Sequence, residues 1–325
     1  AKKADIVLVA PASANVIGKI ANGIADDMLT TTVMACPCKK LIAPAMNTRM
    51  FENPILQDNL EKCRHYGMDI IMPDSGRLAC GDVGSGKLPS EEVLVAAILK
   101  EIRYEKDMQG LKVLVTAGAT QEAIDPVRFI SNHSTGKMGF ALAKTAMQRG
   151  ADVTVVAAHT SAKEPLYVNI RRVSSAADMF EACKEEAKTA DIIIKAAAVA
   201  DYTPVETADN KIKKSDDTMA ITCKRTQDIL AYLGAHKPDG QFLCGFSMET
   251  EHMLENSEKK LEKKNLDMIV ANNLKVKGAG FATDTNVVTL ITKEEVKELP
   301  LMSKDEVANE ILTQILQRRC PENGQ

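Results

Sequence analysis

Several clusters in this chain put polar or reactive side chains directly after runs that read as buried strands, the position where parallel α/β sheets bind their ligands. Pro11-Ala12-Ser13-Ala14-Asn15 and Pro44-Ala45-Met46-Asn47 are two of them. Their small residues let a backbone come close to a flat ring or a phosphate. Asn15 and Asn47 can each donate and accept hydrogen bonds. The same residues also make ordinary turns, and the sequence leaves both readings open. Gly76 to Leu88 is a glycine-rich stretch with one thiol, Cys80. Gly81 to Lys87 nearly spells a phosphate loop, but Leu88 replaces the hydroxyl that would hold magnesium and Pro89 stops the helix. A flap carrying a thiol remains, inert or reactive.

The second half carries a denser set. Thr116-Ala117-Gly118-Ala119-Thr120 closes a strand with small residues, a place for nucleotide phosphate or ribose. Asp125 to Gly139 fills a long loop and opens a helix whose first N–H groups, at Ser134–Lys137, suit an anion. Ser134 and Thr135 could equally be plain helix caps. His133 has no acidic neighbour in sequence and reads as structural. Ala196-Ala197-Ala198-Val199-Ala200-Asp201 admits a bulky ligand, and Asp201 could read a base or ribose or attract Mg²⁺. A tight turn would look the same. Lys211-Ile212-Lys213-Lys214 is either a solvated face or a phosphate contact, and Lys260 and Lys264 share one helix face.

The elements that must position these residues follow from the hydrophobic pattern. In the first half, strands are predicted over 5–9, 40–43 and 68–72, with helices over 54–66 and 90–102. His65 falls mid-helix and reads as a surface residue. A polar linker covers 104–110. Strands then follow at 112–116, 152–157, 192–198, 241–246, 268–271 and 286–292, the last of them. Helices lie between, at 139–149, 176–190, 249–264 and 305–318, and 320–325 is a frayed tail. Alternating strands and helices mean two Rossmann-like, three-layer α/β domains with mainly parallel sheets. The 325 residues are 45% hydrophobic, which is ample for two cores. A net charge of −3 argues against nucleic acid, and no run is long enough for a membrane span. With no Trp, 5 Tyr and 7 Phe, aromatic stacking is not the main binding resource. The 8 cysteines include no C-x-x-C pair and read as reduced thiols of a cytoplasmic protein.

The first-half motifs Pro-Ala-Ser-Ala-Asn, Pro-Ala-Met-Asn-x-x-Met (Asn47 and Met50) and Ala-Cys-Gly-Asp resemble the flavin-dependent phosphopantothenoylcysteine decarboxylase family. The resemblance implies FMN as oxidant of a substrate thiol, followed by loss of CO₂. It places Ser13 and Asn15 near the flavin, gives Asn47 and Met50 the substrate carboxylate, and makes Cys80 the proton donor. Phe51 stands where the family usually has Trp. The family's essential His and flavin loop precede the first strand seen here, so residues 1–103 read as the C-terminal part of an incomplete decarboxylase domain. Weak retention of FMN is expected.

The stretch from about Gly110 to Arg319 resembles the phosphopantothenate–cysteine ligase family, so residues 111–325 are read as a ligase domain. The matching runs are Thr-x-Gly-x-Thr, Asp-Pro-Val-Arg-Phe-Ile-Ser-Asn-His-Ser-Thr-Gly-Lys-Met-Gly, Ala-Ala-Ala-Val-Ala-Asp-Tyr, Lys-Ile-Lys-Lys, Gly-Phe-Ser-Met-Glu-Thr, Lys-Asn-Leu-Asp and Ala-Asn-Asn. The order of the two halves is that of bacterial bifunctional coenzyme A biosynthesis proteins. The resemblance implies CTP, Mg²⁺, 4′-phosphopantothenate and cysteine as reactants. It gives Asn132 the acyl cytidylate carbonyl and Lys211 a place around the second step. Gly118, Ala197, Ala198, Asp201 and Phe246 would line the nucleotide pocket, and Lys260 and Lys264 would face phosphates. Ala119 replaces a frequent family glycine, at little cost if its φ is negative. A homo-oligomer is implied, a ligase dimer with higher assembly through a whole decarboxylase half. Two other classes compete. A nicotinamide reductase lacks its G-x-G-x-x-G and an acid after the 152–157 strand. A non-catalytic flavoprotein subunit leaves Asn132 and the lysines without a purpose.

Overall fold

The computed structural model describes residues 1–77, 81, 83–213, 218–249, 253–273, 280 and 283–319. The chain divides into two compact units, Ala1–Glu105 and Lys106–Gln325.

The first unit runs β1 (Ile6–Ala12), α1 (Ala14–Ala21), α2 (Met28–Ala35), β2 (Lys39–Pro44), α3 (Thr48–Phe51), α4 (Pro54–His65), β3 (Asp69–Ile70), β4 (Asp74–Arg77), β5 (Val83–Lys87) and α5 (Glu91–Ile102). β1, β2 and β3 form a parallel sheet in that order. Its two faces feed separate cores. Ile17, Ile42, Leu56 and Leu60 fill one, and Leu41, Ala43, Ile71 and Ala97 the other. The glycine-rich stretch is not a plain loop. β4 and β5 pair as an antiparallel ribbon, so the backbone of Val83–Lys87 is engaged in a ladder and does not form the nest a phosphate loop needs. Glycine is poor in strand signal, which hides such a ribbon from sequence. His65 ends α4 and is exposed.

The second unit runs β6 (Lys112–Ala117), β7 (Gln121–Ala123), β8 (Phe129–Ser131), α6 (Lys137–Gln148), β9 (Asp152–Ala157), β10 (Asn169–Arg172), α7 (Ala176–Glu186), β11 (Ile192–Lys195), β12 (Tyr202–Pro204), β13 (Cys223–Arg225), α8 (Ile229–Ala235), β14 (Phe242–Glu249), α9 (Met253–Lys263), β15 (Met268–Asn273), β16 (Thr285–Asn286), β17 (Val288–Ile291), β18 (Val296–Glu298), β19 (Met302–Ser303) and α10 (Lys304–Arg319). Among the described residues, eight strands form the main sheet in the order β10-β9-β6-β11-β14-β15-β17-β18. The first six are parallel, β17 runs against them, and β18 reverses again by pairing antiparallel with β17. The chain starts at β6, winds outward to β10, then returns to β11 on the other side. That reversal is a topological switch point, and a crevice opens there at the strand C-termini.

Both sheet faces are covered. Val113, Val115, Ile192, Ile194 and Met268 pack with Phe140, Leu142, Val307, Ile311 and Ile315 of α6 and α10. Leu114, Val156, Ile193 and Leu243 pack with Met179, Ile229, Leu233 and Leu261 on the α7–α9 side. Strands buried on both faces read as continuous apolar runs, which is how the sequence announced them.

Several boundaries moved. The strand expected over 192–198 ends at Lys195, and its last three residues line the crevice instead. Strand β14 continues through Glu249, where a helix was expected to begin. The long loop after Thr120 contains the β7–β8 hairpin, and β18 follows what was expected to be the final strand. Part of the expected linker belongs to the second unit: Met108 is fully buried, and Asp107 pairs with Arg149. The tail at 320–325 lies outside the described residues.

Candidate active site

The crevice of the second unit is built from strand ends that lend one another hydrogen bonds. The Thr116 hydroxyl accepts from Ala197 N–H at 3.0 Å, and the Thr120 hydroxyl accepts from Ala200 N–H at 2.9 Å. Both threonines are fully buried. Ala198 N–H donates to Gly118 at 2.8 Å, and Ala119 N–H to His159 at 2.9 Å. Gly118 is required here: φ is +84°, and a Cβ would stand 2.4 Å from the His159 carbonyl oxygen. Ala119 does not share that conformation, so its departure from the family glycine carries no backbone strain.

Helix α6 begins at the same crevice. Its N-cap is Gly136, and no side chain caps it. Its first turn carries no acid, so the positive end of its dipole favours an anion. The alternative of a Ser or Thr cap is not what forms; Ser134 Oγ accepts only a long bond, 3.4 Å, from Gly136 N–H. Gly139 lets α6 lie against β6: a Cβ there would meet Ala117 Cβ at 2.7 Å.

The pocket is lined by Ser134–Gly139, Ala196–Ala198, Phe246–Met248, Asn272, Gly280, Asn286 and Lys304. Of the residues expected to bind nucleotide, Ala197, Ala198 and Phe246 line it. Gly118 sits behind it, in contact with Ala198. Asn132 follows β8, and its amide donates to the Ala198 carbonyl at 3.3 Å. Asp201 is exposed, and its carbonyl accepts from Thr226 N–H at 3.0 Å. Lys211 is exposed on a loop fastened to the β7–β8 hairpin through Ile212. Lys264 is not simply open to phosphate: it pairs at 2.8 Å with Asp228, the N-cap of α8. Lys260 lies one turn earlier, its carbonyl accepting from Lys264 N–H at 3.0 Å. His133 is exposed.

Sequence reasoning missed Lys304. It opens α10, is 6% exposed, and donates to the carbonyls of Gly280 and Thr283 at 3.1 and 2.5 Å. Burial, reinforced by Lys137, pushes its ammonium down to about 8, with Asp284 opposing. Lys137 holds Asp284 at 2.7 Å. Asn272 and Asn286 were also missed as pocket residues, and they bond each other at 2.8 Å. Only Asn272 had a signal, the Ala-Asn-Asn run. Lys195 is buried on the other sheet face with Met179 Sδ at 3.6 Å, and burial lowers its pKa.

In the first unit the loops after β1 and β2 are neighbours, joined by Ala45 N–H to the Ala12 carbonyl at 3.1 Å. Ser13 caps α1, accepting from Val16 N–H, and Asn15 is exposed on its first turn. Asn47 caps α3, its Oδ1 accepting from Arg49 N–H at 2.9 Å, and Met50 is half exposed beside it. The ribbon docks on this loop. Met46 N–H donates to Gly86 at 3.0 Å, and a Cβ on Gly84 would strike the Thr48 hydroxyl. Cys80 lies outside the described residues. Among the described residues no group of three or more His, Cys, Asp or Glu could hold a metal ion, and no helix is long and apolar enough to cross a membrane.

Two family descriptions cover nearly the whole chain. "Flavoprotein" matches residues 1–103, and "DNA/pantothenate metabolism flavoprotein C-terminal domain" matches residues 108–318. The coenzyme A biosynthesis bifunctional protein CoaBC of Bacillus subtilis is 49% identical over 96% of this chain and 78% of its own length. Its counterpart in Vibrio vulnificus is 44% identical over 97% and 79%. A crystal structure of the C-terminal domain of a CoaBC protein is 47% identical, covers 65% of this chain and 98% of that one, and superposes with a TM-score of 0.56. With the switch-point crevice, the uncapped α6 and the ordered motifs in place, these likenesses lead to one conclusion: the chain belongs to the CoaBC family of bifunctional coenzyme A biosynthesis proteins.

Proposed function

We propose that the second unit joins 4′-phosphopantothenate to cysteine using CTP, and that the first unit serves the FMN-dependent decarboxylation of the product. The observation that carries the ligase reading is the crevice where the α6 N-terminus and Lys304 face Ala196–Ala198, with Asn132 on the Ala198 carbonyl. Oxide is a poor leaving group, so a carboxylate must be activated before an amine can displace it. A carboxylate oxygen attacks the α-phosphorus of CTP, the bond to pyrophosphate breaks, and an acyl cytidylate forms. The cysteine nitrogen then attacks the acyl carbon, the bond to CMP breaks, and the amine releases a proton.

In this reading Asn132 turns its amide from Ala198 to the acyl carbonyl, where a fixed donor stabilises developing negative charge. Lys211 acts around the second step. Gly118, Ala197, Ala198 and Phe246 enclose the nucleotide. Lys260 and Lys264 serve the phosphates, Lys264 by exchanging Asp228 for a phosphate oxygen. The lone, exposed Asp201 fits a Mg²⁺ that arrives with the triphosphate, since that ion commonly takes one or two carboxylates plus substrate phosphates. Bound Mg²⁺ offsets triphosphate charge.

The loops carrying Ser13, Asn15, Asn47 and Met50 fit a flavin and a substrate carboxylate, because exposed Ser13, Asn15 and Met50 and half-buried Asn47 lie at two adjacent strand ends joined by Ala45 N–H to the Ala12 carbonyl. When bound, FMN would take two electrons from the substrate thiol and, after CO₂ is lost, return them in the reduction to the product. Cys80, on the flap whose base docks at Met46, is assigned the proton-donor role. The protein is read as cytoplasmic and homo-oligomeric, dimerising through its second unit.

The test is incubation with CTP, Mg²⁺, 4′-phosphopantothenate and cysteine. Absence of pyrophosphate release by folded protein would sink the ligase reading. Asn132→Asp is expected to slow amide formation about a hundredfold while CTP binding changes little. Turnover like wild type would remove Asn132 from its role.

A further inference from the structure

The loop that carries Lys211 is fastened by one buried carboxylate. Asp125 has a fully enclosed side chain. Its Oδ1 accepts from the N–H groups of Val127 and Arg128 at 2.8 and 2.7 Å, which shapes the β7–β8 turn. Its Oδ2 reaches across 87 residues to accept from Ile212 N–H at 3.1 Å, and stands 3.4 Å from the Arg128 guanidinium. That guanidinium donates in turn to the Ile212 carbonyl at 3.1 Å. Both backbone groups of Ile212 are thereby held, one by the carboxylate and one by its counter-ion. A second tie lies upstream, from Ala208 N–H to the Ile124 carbonyl at 3.0 Å. The same hairpin ends at Ser131, whose hydroxyl donates to Thr120 at 2.8 Å, and Asn132 follows.

A buried carboxylate is costly unless its lone pairs are filled. Burial raises the Asp125 pKa, but the N–H donors of Val127, Ile212 and Arg128 and the guanidinium outweigh that, and the group stays lowered. The expense is unnecessary for a turn alone, since an Asn would cap Val127 and Arg128 equally well. What only a carboxylate does here is accept on both oxygens, one inward to its own turn and one outward to Ile212.

We propose that Asp125 is the positioning residue for Lys211, locking its loop to the hairpin that presents Asn132 so that both side chains meet the acyl cytidylate in fixed register. The proposal rests on the ligase reading above. Asp125→Asn keeps the turn through its amide oxygen but turns an N–H₂ toward the Ile212 N–H and the guanidinium, so the Lys211 loop is released. A misplacement of about 1 Å is enough to slow a reaction about a hundredfold.

The experiment measures the two half-reactions separately, pyrophosphate release and amide formation, in wild type, Asp125→Asn, Lys211→Ala and the double variant. The expected result is that Asp125→Asn leaves CTP binding and pyrophosphate release near wild type, slows amide formation, and accumulates acyl cytidylate, as Lys211→Ala does. The double variant is expected to be no slower than Lys211→Ala, because a lock cannot matter once its cargo is gone. Independent, multiplying losses overturn the proposal, as does Asp125→Asn with a wild-type partition between the steps while Lys211→Ala is impaired. If Lys211→Ala is itself unimpaired, the role given to Lys211 falls, and the proposal with it. Should Asp125→Asn fail to fold, Ile212→Pro deletes the N–H at the other end of the same bond and is expected to give the same partition; a wild-type partition there overturns the proposal.

Discussion

Gly139→Ala tests how tightly the crevice depends on the approach of α6 to β6. The added Cβ would lie 2.7 Å from Ala117 Cβ, 2.9 Å from the Thr116 carbonyl oxygen and 3.0 Å from Ala117 Cα. None of these is the end of a flexible side chain. Carbon atoms settle at about 3.5–4.0 Å, so the N-terminus of α6 must retreat by about 1 Å. Overpacking of that size costs about 1–3 kcal/mol. For a unit of this size, that lowers the melting temperature by roughly 2–12 °C. The retreat also carries Ser134–Lys137 away from Ala196–Ala198 across the pocket, and ligation is expected to fall about a hundredfold. Gly240→Ala is the matched control. Its φ is +81° and nothing lies within 4 Å, so it costs about 1–2 kcal/mol of backbone strain without moving the site. Calorimetry and pyrophosphate release on both variants decide the matter. A Gly139→Ala protein that melts with wild type refutes the close-approach argument. One that melts early yet ligates at the wild-type rate refutes the claim that the start of α6 positions the chemistry.

Two further outcomes follow from buried polar groups. Lys304 loses its proton near pH 8 when folded but only near its ordinary 10.5 when unfolded. The unfolded chain therefore binds more protons between those values, and raising pH stabilises the fold. Relative to Lys304→Met, wild type should gain on the order of 2 kcal/mol from pH 8 to 10.5 in urea titrations; a flat difference would contradict the burial of a charged lysine. Thr120→Val strips the acceptor from the Ala200 N–H and should cost about 1–3 kcal/mol while weakening CTP binding. Unchanged stability would mean that the strand-end bonds are not what holds the crevice.

Residues of the site differ in how much of their placement is local to the chain. The place of Ala197 and Ala198 in the crevice was legible because they sit in an ordered run of motif residues, and because apolar strands such as Ile192–Ile194 announce where their loops begin. The ribbon over Val83–Lys87 was not legible, since its glycines carry no strand preference and its pairing partner is fixed only by docking on Met46 and Thr48. Lys304 was hidden for a related reason. Nothing near it in sequence distinguishes a lysine that opens an amphipathic helix in solvent from one folded under a loop, and its acceptors lie 21 and 24 residues upstream.

By itself, the sequence determined the layers, because periodicity and apolar runs are local properties of the chain. It also determined the family, because the motifs are local too. Which groups actually meet was decided by the tertiary structure. It ended β11 early so that three alanines could line a pocket. It turned Lys264 toward Asp228, and it tied Ile212 to Asp125 across 87 residues. Long-range pairs of this kind depend on the closing of loops whose lengths carry no sequence signal, and on the need of every buried donor and acceptor to find a partner once water is gone.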